Sequence, residues 1–328
     1  MSSIRVGVLG AARIVPMALV RPARIVRGVR VAALAARDPA RARAYALRWG
    51  VTRVHTDYAA VLADPDLDAI YVPLPNSLHA SWTLRAIAAG KHVLCEKPFT
   101  SNVAEAERVA EASAGSGLVV MEAFHYRYHP LIRRVLTLLG DGAIGSVRHV
   151  ETELSFPLPR FADIRYRLDL GGGALMDAGC YALHCLRQLG PGEPWVVGAR
   201  AKLRSPGVDR AMTVQLRFPD GATGQVRCSL WSRHLLGASA RVIGDAGELR
   251  VLNFVAPHIF HRLSVRTASR RWHERVPGES TYTHQLRAFK AAVRDGTPVL
   301  TPARDAVATM RLIDDAYRAA GLEPRGAN

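Results

Sequence analysis

Hydrophobic positions follow two successive patterns along the chain. Over the first 120 residues, short uninterrupted apolar runs alternate with stretches of helical period. Ile4–Leu9, Val29–Ala36, Ala69–Pro73, His92–Cys95 and Val119–Met121 are runs of the first kind, as expected of strands buried on both faces of a parallel sheet. Between them, Asp38-Pro39 opens a helix reaching Trp49, Ser77–Ala89 forms a helix stopped by Gly90, and Val103–Ala114 forms another. Such alternation with short connections predicts a parallel sheet covered on both sides. After about Glu122 the pattern changes. A helix over His129–Leu139 precedes strand-like runs at Val147–Phe156, Trp195–Leu203, Met212–Phe218, Thr223–Leu230, Ala240–Gly244, Glu248–Val251 and Leu263–Thr267. Turn signals such as Pro219-Asp220-Gly221 separate them, and a helix over Ala174–Leu189 is inserted after the first. Two helices, Tyr282–Arg294 and Ala303–Ala320, close the chain. The predicted fold is α/β: a doubly wound parallel domain over residues 1–122 and an α+β domain over 123–328, whose largely antiparallel sheet has one open face. An apolar open face would favour a homo-oligomer, dimer or tetramer, joined through the sheets.

Composition narrows the class. The 328 residues suit two domains, and 49% apolar with 22% charged residues excludes extended disorder. No apolar run approaches the roughly 18 residues of a membrane span. The first strand-like run already begins at Ile4, leaving no room for a signal peptide, so a cytoplasmic protein without membrane partners is expected. Four cysteines without CxxC spacing suggest neither a zinc site nor a disulfide framework and fit a reducing compartment. The formal charge of +16 comes from dispersed arginines, with only four lysines among 44 basic residues. No basic stripe emerges, so nucleic acid is not an expected partner. Compositional drift accounts for the charge; attraction of an anionic cofactor or substrate is the functional reading.

Three strand ends carry candidate chemistry. The first strand runs into Gly7-Val8-Leu9-Gly10-Ala11-Ala12-Arg13. Small residues there let backbone approach a pyrophosphate at a helix N-terminus, although a tight turn alone uses the same glycine. The second strand ends Ala35-Ala36-Arg37-Asp38. A carboxylate at that end would bind the adenosine ribose hydroxyls and select NAD, whereas Ala36 and Arg37 suit a 2′-phosphate and point to NADP. Asp38, followed by Pro39, reads as a helix N-cap, and Arg37 is equally readable as a solvated surface residue. A later strand ends Glu96-Lys97-Pro98, which sets an ammonium at the carboxyl edge of the sheet, where open α/β folds bind ligands. Lys97 is one of the few lysines, and a plain ion pair with Glu96 is the alternative.

Gly7-x-x-Gly10-x-Ala12, Pro75-Asn76-x-x-His79, Glu96-Lys97-Pro98 and Gly171-Gly172-Gly173-Ala174-Leu175-Met176-Asp177-Ala178-Gly179 together resemble the Gfo/Idh/MocA oxidoreductases over the whole chain. The resemblance implies a Rossmann domain, an NAD(P) cofactor, and hydride transfer between nicotinamide and a carbinol or keto carbon, mostly of sugars. Many members carry a catalytic His two residues after Asp-x-Gly, where this chain has Tyr181. Leu175–Tyr181 and Glu122–Pro130 instead resemble the branch of glucose–fructose oxidoreductase, dimeric dihydrodiol dehydrogenase and NADP-dependent xylose dehydrogenase, in which this Tyr is the acid/base.

The resemblance then assigns roles. Lys97 and Tyr181 are catalytic, with Asp177 as a substrate or orienting ligand. Gly7, Gly10, Ala12, Arg13, Ala36, Arg37, Glu96 and Lys97 hold the cofactor. Leu74, Asn76 and His79 line the nicotinamide ribose, and Arg127 and Arg165 lie beside the cofactor. Bland readings stand next to these: His79 as a structural residue at a helix start, Asp177 as an internal cap, Tyr181 as a packing residue. His125, His129 and His184 lack metal spacing and read as packing or rim residues; no metal is expected. A free Tyr titrates near pH 10 and is a poor base at neutrality. One ammonium about 4 Å away at an effective dielectric of about 20 contributes roughly 4 kcal/mol, enough for the required shift of about three units. Specificity is expected from Phe156–Arg167 and Trp231–Leu236. The competing reading is a non-catalytic dinucleotide-binding sensor of the same fold.

Overall fold

The computed structural model describes residues 3–232 and 235–326. It comprises two compact units, Met1–Tyr128 with Tyr282–Val307 and His129–Thr281 with Ala308–Asn328. The single expected boundary near residue 122 therefore needs correction. Tyr282, Leu286 and Phe289 belong to the same apolar cluster as Ile4, Val6 and Val8 of the first strand. Thr301 stitches the later segment to the sheet: its amide carbonyl accepts from Glu122 N–H at 2.9 Å, and its hydroxyl donates to the Glu122 carbonyl at 2.7 Å.

In chain order the first unit contains β1 (Ile4–Leu9), a π-helical turn Pro16–Val20 running into α1 (Arg21–Ile25), β2 (Val29–Ala35) and α2 (Pro39–Trp49). Next come β3 (Arg53–Val54), α3 (Tyr58–Ala63), β4 (Ala69–Val72), α4 (His79–Ala88), β5 (His92–Cys95), α5 (Val103–Ala114) and β6 (Val120–Glu122). All six strands are parallel, in the order β3-β2-β1-β4-β5-β6. This doubly wound order reverses between β1 and β4, which opens the ligand crevice of such sheets at their carboxyl ends. β4 is buried along its whole length, as its unbroken Ala-Ile-Tyr-Val run requires. β3 and α3 were not evident from the pattern, because two residues are too few to show a period.

Gly7 lies inside β1 rather than in the turn after it. A Cβ there would come within 2.6 Å of Leu67 Cδ1 and 2.8 Å of Val61 Cγ1. Its missing side chain admits these two residues onto the sheet, a packing role inside the strand. Lys91, another of the rare lysines, is buried, and its ammonium donates to the Asp64 and Leu67 carbonyls.

The second unit contains α6 (Pro130–Gly140), β7 (Val147–Ser155), a π-helical turn Leu175–Gly179 leading into α7 (Cys180–Leu189), β8 (Trp195–Ser205), β9 (Val208–Arg217) and β10 (Thr223–Ser229). β11 (Gly237–Gly244), β12 (Gly247–Leu252), β13 (Arg262–Thr267) and β14 (Arg271–Glu274) follow. Two long helices, α8 (Thr281–Asp295) and α9 (Ala303–Ala319), complete the chain. The eight strands are ordered β14-β13-β12-β11-β7-β10-β9-β8, antiparallel except for the β7–β10 pair. α7 covers one face, where Val150, Thr152 and Leu154 are buried and the Thr152 hydroxyl donates to the Ala182 carbonyl.

The other face corrects a second expectation: it is charged, not apolar. Alternation along β7 places His149, Glu151 and Glu153 there, and cross-strand register aligns Gln225, Glu151, Arg241 and Arg250 in one row. The Glu248 carboxylate gathers three guanidiniums, Arg241 at 2.8 Å, Arg266 at 3.1 Å, and Arg250.

Cys95, Cys180, Cys185 and Cys228 are all buried and form no disulfide, and burial pushes the thiols of Cys95 and Cys228 up from their ordinary value. Among the described residues, no helix is long and apolar enough to cross a membrane.

Candidate active site

In the first unit the candidate residues gather at the carboxyl ends of the strands. Gly10 follows β1 with φ +99°, a left-handed conformation that suits glycine. A Cβ there would meet Leu74 Cδ2 at 3.3 Å and the Tyr58 hydroxyl at 3.6 Å, so Gly10 and Leu74 adjoin at the β1–β4 crevice. The turn is held from behind by α2: Arg41 donates to the Ala11 carbonyl at 2.8 Å, and the Tyr45 hydroxyl to the Ala12 carbonyl at 2.9 Å. Burial pushes the Tyr45 hydroxyl up to about 12, against the pull of Arg41 and Arg48. Arg13, next along, is exposed.

At the end of β2, Ala36 is buried and Arg37 is exposed. Asp38 caps α2, its Oδ1 accepting from the Ala40 and Arg41 N–H groups. Burial raises the Tyr58 hydroxyl, and the charges of Arg37 and Arg41 pull it back down. Both guanidiniums therefore act on a group that borders Gly10. Sequence reasoning missed Arg41, which lies in the first turn of α2 just after the cap at Asp38 and close in sequence to Arg37.

After β4 and β5 the picture is mixed. Asn76 is half-buried at the start of a short helical turn. His79 is buried, with one ring nitrogen 2.7 Å from the Pro98 carbonyl and the other 2.8 Å from the Leu74 carbonyl. Both ring nitrogens thus lie at hydrogen-bond distance from main-chain carbonyls, and the neutral ring, with its single N–H, donates to one of them. Burial lowers the ring's pKa, and the two carbonyls oppose that shift. Glu96 is buried and accepts the Tyr71 hydroxyl at 2.6 Å, which anchors it in the sheet. Lys97 is half-buried at the end of β5. Arg127, half-buried, sits in the short helical turn after β6, where His125 stacks on Tyr282 with ring centroids 4.0 Å apart.

In the second unit, Asp177 and Arg165 form a bonded pair, Nε to Oδ2 at 2.7 Å, and Arg165 also reaches Asp163 at 3.0 Å. The Asp177 charge, foremost, raises the guanidinium's pKa. Asp177 is thus an ion-pair partner of Arg165. A Cβ at Gly179 would lie 2.7 Å from Leu175 Cδ1 and 2.9 Å from Cys228 Sγ, which explains the Asp-x-Gly spacing. Tyr181 is 6% exposed in the first turn of α7. His184 is fully buried on the same helix, and His129 caps α6 through its ring. The two specificity segments meet: the Phe161 and Trp231 rings lie 5.5 Å apart, and the Tyr166 hydroxyl donates to the Leu158 and Leu230 carbonyls. Arg233 and His234, within the second segment, lie outside the described residues. Among the described residues, no three His, Cys, Asp or Glu side chains cluster as metal ligands.

Comparison with known proteins agrees with this architecture. Residues 4–124 match the oxidoreductase family with an NAD-binding Rossmann fold, and residues 132–250 match the GFO/IDH/MocA C-terminal domain. The chain belongs to the Gfo/Idh/MocA oxidoreductase family. It is 36% identical over 315 residues to D-xylose 1-dehydrogenase (NADP(+)) 2 of Haloferax volcanii, covering 96% of each chain. It is 35% identical over 306 residues to a dTDP-3,4-didehydro-2,6-dideoxy-alpha-D-glucose 3-reductase of Streptomyces antibioticus, covering 91% of each. A 3-ketoreductase from Actinomadura kijaniata, crystallised with NADP and TDP-benzene, superposes with a TM-score of 0.90 at 32% identity over 97% of this chain and 98% of that one.

Proposed function

We propose that the protein is an NADP-dependent oxidoreductase interconverting a carbinol and a keto carbon of a sugar or sugar-like diol. The observation that carries this reading is the end of β2. Its one carboxylate, Asp38, serves as a helix cap; Arg41 bonds the Ala11 carbonyl of the Gly10 turn, and the charges of Arg37 and Arg41 both act on Tyr58, whose hydroxyl borders Gly10. The relatives support it, since both are named as enzymes acting on sugars, and the name of the xylose dehydrogenase specifies NADP. The residues fit the cofactor. Gly10, Ala12 and Arg13 would hold the pyrophosphate, Ala36, Arg37 and Arg41 the 2′-phosphate, and Leu74, Asn76 and Arg127 the nicotinamide side. When bound, NADP supplies the hydride acceptor or, in the reverse direction, the donor.

The chain's own work is to orient the substrate and move a proton. As the family resemblance implies, in oxidation Tyr181 Oη would take the substrate hydroxyl proton and Lys97 Nζ would hold that hydroxyl. Asp177, fixed by Arg165, orients the substrate. The half-exposed Phe161 and Trp231 rings offer flat apolar surfaces to the sugar ring. A cytoplasmic setting belongs to the same reading, in keeping with four cysteines that form no disulfide. So does self-association, with support from the exposed Trp195, Val197 and Leu203 of edge strand β8 rather than from an apolar sheet face.

The test is absorbance of the reduced nicotinamide, with NADP or NAD, across aldoses beginning with D-xylose, a trans-dihydrodiol and a keto-sugar. Turnover with NADP that disappears in Lys97→Ala and Tyr181→Phe is expected. NADP binding without turnover on any of these would favour the sensor, and a preference for NAD would overturn the cofactor assignment. Light scattering reads the oligomer.

A further inference from the structure

We infer that Arg325, acting through Asp209, is a positioning residue for the catalytic segment Gly171–Tyr181; this rests on the roles given above to Asp177 and Tyr181. Arg325 and Asp209 form an ion pair at 2.8 Å whose side chains are 1% and 0% exposed. Such a pair seldom adds stability over apolar residues of the same size, and its well-attested use is to specify one arrangement. What this pair specifies is visible in its remaining bonds. Asp209 Oδ2 accepts the Leu175 N–H at 2.7 Å, where the helical turn bearing Asp177 begins. Asp209 Oδ1 accepts the Tyr317 hydroxyl at 2.9 Å as well as Arg325 Nη2. Arg325 Nε donates to the Gly172 carbonyl at 2.7 Å, and its guanidinium lies 4.0 Å from the Tyr317 ring centroid.

The guanidinium fork therefore holds the carbonyl before Gly173 with one nitrogen and, with another, the carboxylate that grips the amide after it. A planar head with two parallel donors can do this; a single ammonium cannot hold both with the same geometry. The space left by the missing Gly173 side chain is occupied by the clamp, with a Cβ there lying 2.2 Å from Asp209 Oδ1 and 2.8 Å from Arg325 Nη2. On its other side the glycine stretch is tied to the substrate half of the site. Gly172 and Gly173 donate their amides to the Arg167 and Arg165 carbonyls at 2.8 Å each, and the Arg165 side chain holds Asp177. The Asp177 amide in turn donates to the Gly173 carbonyl at 3.1 Å, and the same turn runs on into α7 and Tyr181. A shift of the glycine stretch is thus transmitted to Asp177 and Tyr181, although Arg325 belongs to neither element.

The test is Arg325→Lys, which keeps the charge opposite Asp209 and removes the fork, measured in the full chain with NADP and the best substrate of the panel. Dissociation of NADP should be unchanged. Turnover should fall by about tenfold or more, within the 10²-fold that an ångström of misplacement produces. Amide exchange across residues 171–181 should accelerate, and the basic limb of the pH–rate profile should move. In a Tyr181→Phe background the same substitution should cause little further loss. Unchanged turnover with a lowered melting temperature would make the pair scaffold only and overturn the proposal, as would losses that multiply fully in the double variant. If Arg325→Lys does not fold, Tyr317→Phe decides: it removes one donor to Asp209 and should lower turnover in the same direction, and faster exchange with unchanged turnover refutes the clamp. Wild-type turnover in Tyr181→Phe alone would instead sink the catalytic reading itself.

Discussion

At Gly10 a methyl group would meet nothing closer than Leu74 Cδ2 at 3.3 Å, whereas at Gly173 it would lie 2.2 Å from an Asp209 oxygen. Both glycines have positive φ, and both belong to motifs read from the sequence. The first is bordered by a side-chain methyl and a hydroxyl and leaves room for something the chain does not supply. The second is filled by the chain itself, with a carboxylate, a phenol and a guanidinium crowding the vacant position. A glycine motif is therefore not by itself a ligand site; what occupies the missing side chain decides.

The largest expected effect breaks this comparison if it fails. Gly173→Ala faces three buried polar atoms within 3.0 Å and a left-handed backbone, so a loss above about 4 kcal/mol and failure to yield folded protein are expected. Gly10→Ala should fold, with a loss of about 1–2 kcal/mol for the left-handed conformation, and should bind NADP poorly. Equal thermal stability of the two variants, measured by calorimetry, would erase the distinction. Next come the proton-handling groups: Lys97→Ala and Tyr181→Phe should each lower turnover by roughly 10²–10⁴ with circular dichroism unchanged. The Phe substitution keeps the ring and its packing. Loss of fold there would show that Tyr181 acts through its hydroxyl's place in the structure.

Smaller still is Arg37→Ala, expected to weaken NADP by about 1.5–3 kcal/mol, the range of one charge-assisted contact, with little effect on NAD. Titration of both cofactors checks this, and equal loss for both would remove the 2′-phosphate from the picture. The smallest effect belongs to the outer pair Arg134–Glu274, bonded at 2.6 and 2.8 Å. The Arg134 hydrogen bond holds the Glu274 carboxyl below its ordinary value of 4.5. A lowered carboxylate contributes stability above that value and loses it as pH falls through the folded-state value. Arg134→Met should therefore lower melting slightly at neutral pH and not at all in strong acid.

Much of this was legible in the sequence. Most of the strands and helices follow from their apolar period, and the adjacency of Asp177, Gly179 and Tyr181 is one of sequence. What was not legible depends on distant partners. Asp209 and Arg325 are separated by 116 residues, and nothing local marks either as a companion of Gly173. The place of Tyr282, Leu286 and Phe289 in the first unit's core is equally a matter of tertiary packing. β14 escaped because Arg-Trp-His-Glu shows no apolar alternation, as suits an edge strand. The charged sheet face was readable in principle, since every second residue from His149 to Glu153 is polar. His79 shows the opposite limit: its motif was visible, but the two carbonyls that engage its ring were not.

The four buried thiols give the protein a built-in clock. Native protein should be silent to an alkylating reagent, because all four thiols are buried away from it. Each adduct therefore records an opening event. Cys95 ends β5, whereas Cys180 and Cys185 lie on α7 and Cys228 on β10, so the order of labelling by mass spectrometry separates the loosening of one unit from that of the other. If bound NADP protects Cys95 before the remaining three, the cofactor can be timed on the unit that holds it, without any measurement of turnover.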